Sequence, residues 1–148
     1  MPRPLLPALL ILLTLAGCGP VEDTRPGQPV KQRQEAFKSI LRSFEPMGVM
    51  LRDNKYQADK FASLAGELVA KRDAPWSHFG PDTNYPPTKA KAAVWSDGET
   101  FERERLAFVA ATDALFAAAQ TRDQAQAKAA YEKVYGSCKS CHDRFKEK

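Results

Sequence analysis

The sequence predicts an all-α fold, an antiparallel four-helix bundle, and three observations predict it. Apolar residues recur at steps of three and four along four separate stretches. Short polar breaks divide the first stretch from the second and the third from the fourth, so each pair runs antiparallel. Alternating strand patterns are almost absent, and no internal repeat is visible.

The first helix is expected from about Val30 to Leu51, with Ala36, Phe37, Ile40, Leu41, Phe44, Met47 and Met50 on its apolar side. Pro46 lies inside it and is expected to kink or end it locally. Asp53-Asn54 breaks the pattern and can cap the next helix. The second helix is expected from about Lys55 to Lys71, through Phe61, Leu64, Ala65, Leu68 and Val69. A connection from Arg72 to Trp95 follows, holding four of the eleven prolines and longer than a bundle usually needs. The third helix is expected to open at Ser96, where Ser96 and Glu99 have capping-box spacing, and to run to about Gln120. Phe101, Phe108, Thr112, Leu115 and Ala119 form its inner side. The fourth is expected from near Asp123 to near Lys146. Tyr131, Val134, Cys138, Cys141 and Phe145 share one face of it, so both cysteines point inward.

Residues 1–17 read as a signal segment rather than as part of the domain. Arg3 supplies a positive charge and Leu5–Leu15 is almost wholly apolar, too short for a membrane span. Leu15-Ala16-Gly17-Cys18 resembles a bacterial lipoprotein signal, in which Cys18 is lipidated and becomes the new N-terminus. Gly19 follows, a pattern associated with the outer membrane in many Gram-negative bacteria. The alternative is an ordinary signal peptide with an incidental cysteine. The expectation is a periplasmic protein held to a membrane by a lipid anchor only. Residues 18–29, rich in Pro and Gly, read as a tether reaching roughly 35–40 Å, and 30–148 as the bundle. Losing Arg3 lowers the formal charge of +4 by one, and acids and bases are interleaved without a basic stripe. Nucleic acid is not expected as a partner.

Three cysteines in an exported chain would ordinarily suggest a disulfide. Each has a better use here. Cys138-Lys139-Ser140-Cys141-His142 has the spacing of covalent haem c attachment. Two thiols three residues apart lie on one helical face and can add to the two vinyl groups along one haem edge. The next residue, His142, is then placed to ligate the iron. A structural zinc site would need four ligands. The segment offers three, and the only other histidine is His78. A thioredoxin-like pair would want a βαβ context, which is missing. Lys139 and Ser140 read as the outward face.

The motif near the C-terminus, on the last helix of a bundle, resembles cytochrome c′, the class II c-type cytochromes. Other segments resemble the family in the same order. They are Arg33-Gln34-x-x-Phe37, Pro75-Trp76-Ser77-His78-Phe79-Gly80-Pro81 and Val94-Trp95-Ser96-Asp97, followed by the Cys138–Asp143 motif. The resemblance covers about Val30 to Lys146. It implies one haem c, with Arg33 and Gln34 beside its propionates and Phe37 over its distal face. It also implies a homodimer through the first two helices. Read without it, Arg33 is a solvated charge and Phe37 plain core. Trp76, Phe79 and Trp95 read as core aromatics, and His78 occupies a variable position of its motif. The family commonly places an aromatic and then Arg after the haem histidine. Here Phe145 and Lys146 stand there, beside Arg144.

Two functions follow from different classes. The first is a five-coordinate, high-spin haem protein that binds small diatomic gases such as nitric oxide and carbon monoxide and also exchanges single electrons, with a redox partner protein. The second is a low-spin electron carrier with methionine as sixth ligand. Met47 and Met50 are the methionines outside the signal, but family members with such a ligand carry it where Phe37 stands. Both read better as core. No nucleophile triad, phosphate loop or paired carboxylates accompany the haem motif, so enzymatic activity is not expected.

Overall fold

The computed structural model describes residues 21–148, so the signal segment and Cys18 lie outside the described residues. Four long helices form the bundle: α1 (Pro29–Arg52), α2 (Ala58–Lys71), α4 (Gly98–Gln120) and α5 (Gln124–Phe145). The short α3 (Ala93–Ser96) and a 3-10 turn at Trp76–His78 lie in the central connection. The sole strand-like feature among the described residues is one isolated bridge between Ala90 and Lys146.

Pro29 opens α1, where its missing N–H costs nothing. The helix continues through Pro46, which does not end it. Phe44, Met47, Gly48 and Met50 are all buried around the proline, and their packing outweighs one lost backbone bond. Asn54 takes a left-handed conformation after Asp53, and Gln57, not Asp53-Asn54, stands at the start of α2.

The capping box expected at Ser96 and Glu99 does not form. Ser96 is itself the last residue of α3, its N–H donating to the carbonyl of Ala92. Asp97 stands at the N-cap of α4 without a side-chain bond. The Trp95 indole N–H, donating to the Gly80 carbonyl at 2.8 Å, fixes this corner instead. The fourth helix starts as expected, with Asp123 Oδ1 accepting from the Gln126 N–H at 3.0 Å.

The core is one continuous cluster. Phe61, Met47, Leu68, Leu115 and Val134 are fully enclosed within it. Burial of such side chains, each worth about 1.5–3 kcal/mol, is the main stabilising term in a domain without disulfides. α1 packs on α2, α2 on α4 and α4 on α5, whereas α1 and α5 meet over a much shorter stretch. The bundle is therefore splayed on the α1–α5 side, at the end where α1 begins and α5 finishes.

Residues 23–28, expected as free tether, are part of the fold. Gly27 and Gln28 both have positive φ and turn the chain back across the start of α1. Asp23 is only 2 % exposed. Its carboxylate accepts from the backbone N–H groups of Arg25, Val30 and Lys31 and from the Tyr85 hydroxyl. Free alternatives for such a carboxylate are lost on burial, so these bonds must satisfy it.

Candidate haem site

The splay leaves a cavity of about 370 Å³ between α1, α4, α5 and the central connection. Its walls are almost entirely apolar: Phe37, Ile40 and Leu41 from α1, Phe101 and Phe108 from α4, and Trp76, Phe79 and Val94 from the connection. Cys138, Cys141, His142 and Phe145 line it from α5. All six residues named from the sequence for the haem itself, Arg33, Gln34, Phe37, Cys138, Cys141 and His142, meet at this one cavity.

The helical step of three carries Cys138 and Cys141 into it, with His142 at the rim and Lys139 and Ser140 exposed. Lys139 bonds Asp143 at 2.5 Å, and the Ser140 hydroxyl donates to Glu104 at 3.1 Å. Burial pushes both thiols up, Cys141 to about 11, helped there by the Glu104 carboxylate, so both are neutral thiols near neutrality. Burial, and then the Lys146 ammonium, lower His142 from its ordinary value, while Asp143 opposes them. The neutral imidazole, the form that ligates a metal, is thereby favoured.

Phe37 stands against Trp76 and Phe79, with ring centroids 5.5 and 6.3 Å away and steep interplanar angles. Trp76 and Phe79 are three residues apart across a 3-10 turn, where such positions eclipse, and they stack at 6.4 Å. Below, Phe101 meets Phe145 edge-on at 5.3 Å. The expectation that Trp76 and Phe79 are plain core aromatics needs correction, since both line the cavity. Trp95 does not, and it supports Phe79 from behind.

Arg33 is no solvated charge. It is 3 % exposed, and its guanidinium donates to the carbonyls of His78 and Thr83 and to the hydroxyls of Thr83 and Thr88. It also lies over the Phe79 ring. No carboxylate forms an ion pair with it among the described residues. Desolvation lowers its pKa, offset in part by Tyr85 and Asp23. Gln34 donates to the Pro87 carbonyl at 3.3 Å. His78 contributes its backbone to Arg33 and does not line the cavity, and neither do Met47 and Met50. Sequence reasoning missed Thr83 and Thr88, whose hydroxyls carry no spacing signal.

The donor set fits covalent haem. Two neutral thiols one turn apart, with an imidazole on the next residue, face a slot whose remaining walls are apolar. Zinc finds no comparable set, because no group of three or more His, Cys, Asp or Glu side chains is arranged to hold a metal ion among the described residues. A family model for cytochrome c′ matches residues 28–146. The chain belongs to the cytochrome c′ family. Cytochrome c′ proteins carry one covalently attached haem c, and Cys138, Cys141 and His142 are the residues that would hold it here. Cytochrome c′ of Rubrivivax gelatinosus is 40% identical over 129 residues, covering 84% of this chain and 98% of its own. The solved cytochrome c′ of Shewanella frigidimarina aligns with a TM-score of 0.79 at 32% identity, covering 84% of this chain and 98% of its own. A ferrous variant of the Alcaligenes xylosoxidans cytochrome c′ with bound nitric oxide aligns at 0.78 and 32% identity, covering 86% of this chain and 99% of its own. A carbon-monoxide-bound variant of the same protein aligns equally well at 31% identity, covering 86% and 100%.

Proposed function

We propose that this protein binds small diatomic gases, nitric oxide above all, at a five-coordinate haem, and exchanges single electrons there. The observation that carries the reading is the apolar aromatic wall of Phe37, Trp76 and Phe79 opposite α5, with no methionine among the residues lining the cavity. The nitric oxide and carbon monoxide complexes of the Alcaligenes relative support it. Haem iron with one protein ligand supplies a coordination position for such gases and a one-electron couple. His142 would be that ligand, and Cys138 and Cys141 the covalent attachment. Arg33, a buried cation without an ion pair among the described residues, and Gln34 would mark the propionate end of the cavity. Phe37 has no lone pair to donate, and it excludes water. The nearby donors of Arg33 and Gln34 are already committed to the connection. Dioxygen gains much of its bound stability from a distal donor, whereas nitric oxide needs none, so the pocket favours the latter.

Spectra of the purified protein test this. High-spin ferric and ferrous bands are expected. A low-spin ferrous spectrum abolished by changing Met47 or Met50 would establish the electron carrier instead.

The anchoring is also part of the proposal. Cys18, directly after the apolar segment, would be lipidated and hold the domain to a periplasmic membrane face. No helix among the described residues is long and apolar enough to cross a membrane. Cys18→Ala is expected to release the protein into the soluble periplasmic extract. Pairing of two chains through α1 and α2, which the family resemblance implies, belongs to the same proposal. Sedimentation of the purified protein tests it.

A further inference from the structure

The Asp23 carboxylate divides the tether. Its Oδ2 holds the Val30 N–H at 2.9 Å and the Lys31 N–H at 3.2 Å, while Oδ1 holds the Tyr85 hydroxyl at 2.9 Å. The Gln28 side chain closes the turn by donating to the Asp23 carbonyl at 2.8 Å. Arg25 lies over the Tyr85 ring at 3.8 Å and donates to the Asp82 carbonyl. From Asp23 onward the chain is thus fixed to the domain, and Val21 and Glu22 are exposed. Four residues then separate Cys18 from Asp23, and the five Cα-to-Cα steps reach roughly 17 Å at about 3.3–3.6 Å each.

The leash leaves the domain at the end that bears the cavity. Tyr85 belongs to the connection that Arg33 ties down through Thr83 and Thr88, and Arg33 and Thr88 are cavity residues. The same connection pairs with the end of α5, the Lys91 N–H donating to Phe145 and the Glu147 N–H to Lys89. Lys89, Arg144, Lys146 and Lys148 are exposed here without an ion-pair partner among the described residues, and the exposed acids of the same segments are Asp82, Glu147 and Asp143, the last paired with Lys139.

We propose that the Asp23 clamp makes the cavity-bearing end of the bundle the membrane-facing surface, held against a lipid bilayer with anionic headgroups. The proposal rests on the lipidation of Cys18. A short leash fixed at one end cannot let the opposite end reach the bilayer, and the unpaired cations complement the headgroups. Gas or electrons then reach the haem from the membrane side.

The test uses lipidated holoprotein in vesicles of phosphatidylethanolamine and phosphatidylglycerol carrying a headgroup fluorophore, which nearby haem quenches. Wild type is expected to float with the vesicles and quench strongly. Inserting twenty Gly/Ser residues between Glu22 and Asp23 lengthens the leash to a coil of roughly 28 Å. It is expected to cut quenching about threefold without affecting flotation. Asp23→Ala should act in the same direction. Unchanged quenching in the floating insertion variant overturns the proposal while leaving the lipid anchor intact. Failure of wild type to float overturns the anchor, and the proposal with it.

Discussion

The Phe37 ring meets the Trp76 indole edge to face, with centroids 5.5 Å apart and planes at 84°. This contact braces the aromatic side chain that α1 contributes to the cavity wall, beside Ile40 and Leu41. Phe37→Ala is expected to speed carbon monoxide binding by about tenfold, equivalent to a barrier lower by about 1.4 kcal/mol. The ring is half-buried, so the same change should cost about 2 kcal/mol of stability. Stopped-flow binding and denaturant unfolding check the two effects. Phe37→Met should convert the spectrum to low spin.

Arg33 is the fastener of the central connection. Removing it leaves two carbonyls and two hydroxyls without their shared donor, at a cost of roughly 3 kcal/mol. Arg33→Ala should therefore lower the melting temperature. Arg33→Lys should recover less than half of the loss, because an ammonium cannot span four acceptors as a planar fork does.

Asp23 supplies a pH dependence confined to one segment. Burial works against its charge, but the bonds from Tyr85 and from the N–H groups of Lys31, Arg25 and Val30 outweigh it and hold the carboxyl below its ordinary 3.8. A carboxylate lowered on folding stabilises fully above its unfolded pKa, and that contribution fades as pH falls through the folded value. Amide exchange at Val30 and Lys31 should therefore be slow down to about pH 4 and accelerate below it relative to the α1 interior. Asp23→Asn should exchange rapidly at every pH. Slow exchange at those two amides in Asp23→Asn would mean that the carboxylate does not hold them.

Gly48 makes room for Tyr131. A Cβ there would collide with the Tyr131 hydroxyl and ring. That ring is stacked on Phe44 at 4.3 Å, with planes 9° apart, which blocks retreat on that side. Gly48→Ala gains about 1 kcal/mol of helix propensity but overpacks the α1–α5 contact by about 1–3 kcal/mol. A net loss of stability is expected. Tyr131→Phe should relieve part of it, which a double-mutant cycle measures.

The sequence revealed most where side-chain chemistry and period coincide. Cys138, Cys141 and His142 lie on a helix whose step of three brings both thiols to one face, so motif and fold agreed. Phe37 was legible only through resemblance, because an aromatic at a helical apolar position looks the same in core and cavity wall. Ser96 and Glu99 misled, since a preceding turn of helix made Ser96 a helical residue before it could cap. Asp23 was hidden in a Pro/Gly-rich stretch. Its partner Tyr85 lies 62 positions away, and no local pattern connects them.

Both thiols that would attach the haem, Cys138 and Cys141, belong to a single helix, α5, and the other walls of the cavity hold only by packing. A freely dissociating cofactor would stabilise the fold by mass action, and its melting temperature would climb with cofactor concentration. Held covalently on α5 in this way, the haem would stay with the chain when the bundle opens, and refolding would be unimolecular in everything it needs. The midpoint of thermal unfolding in a lone chain should then ignore dilution altogether. Any dependence on protein concentration reports the one bimolecular event left, the meeting of two chains.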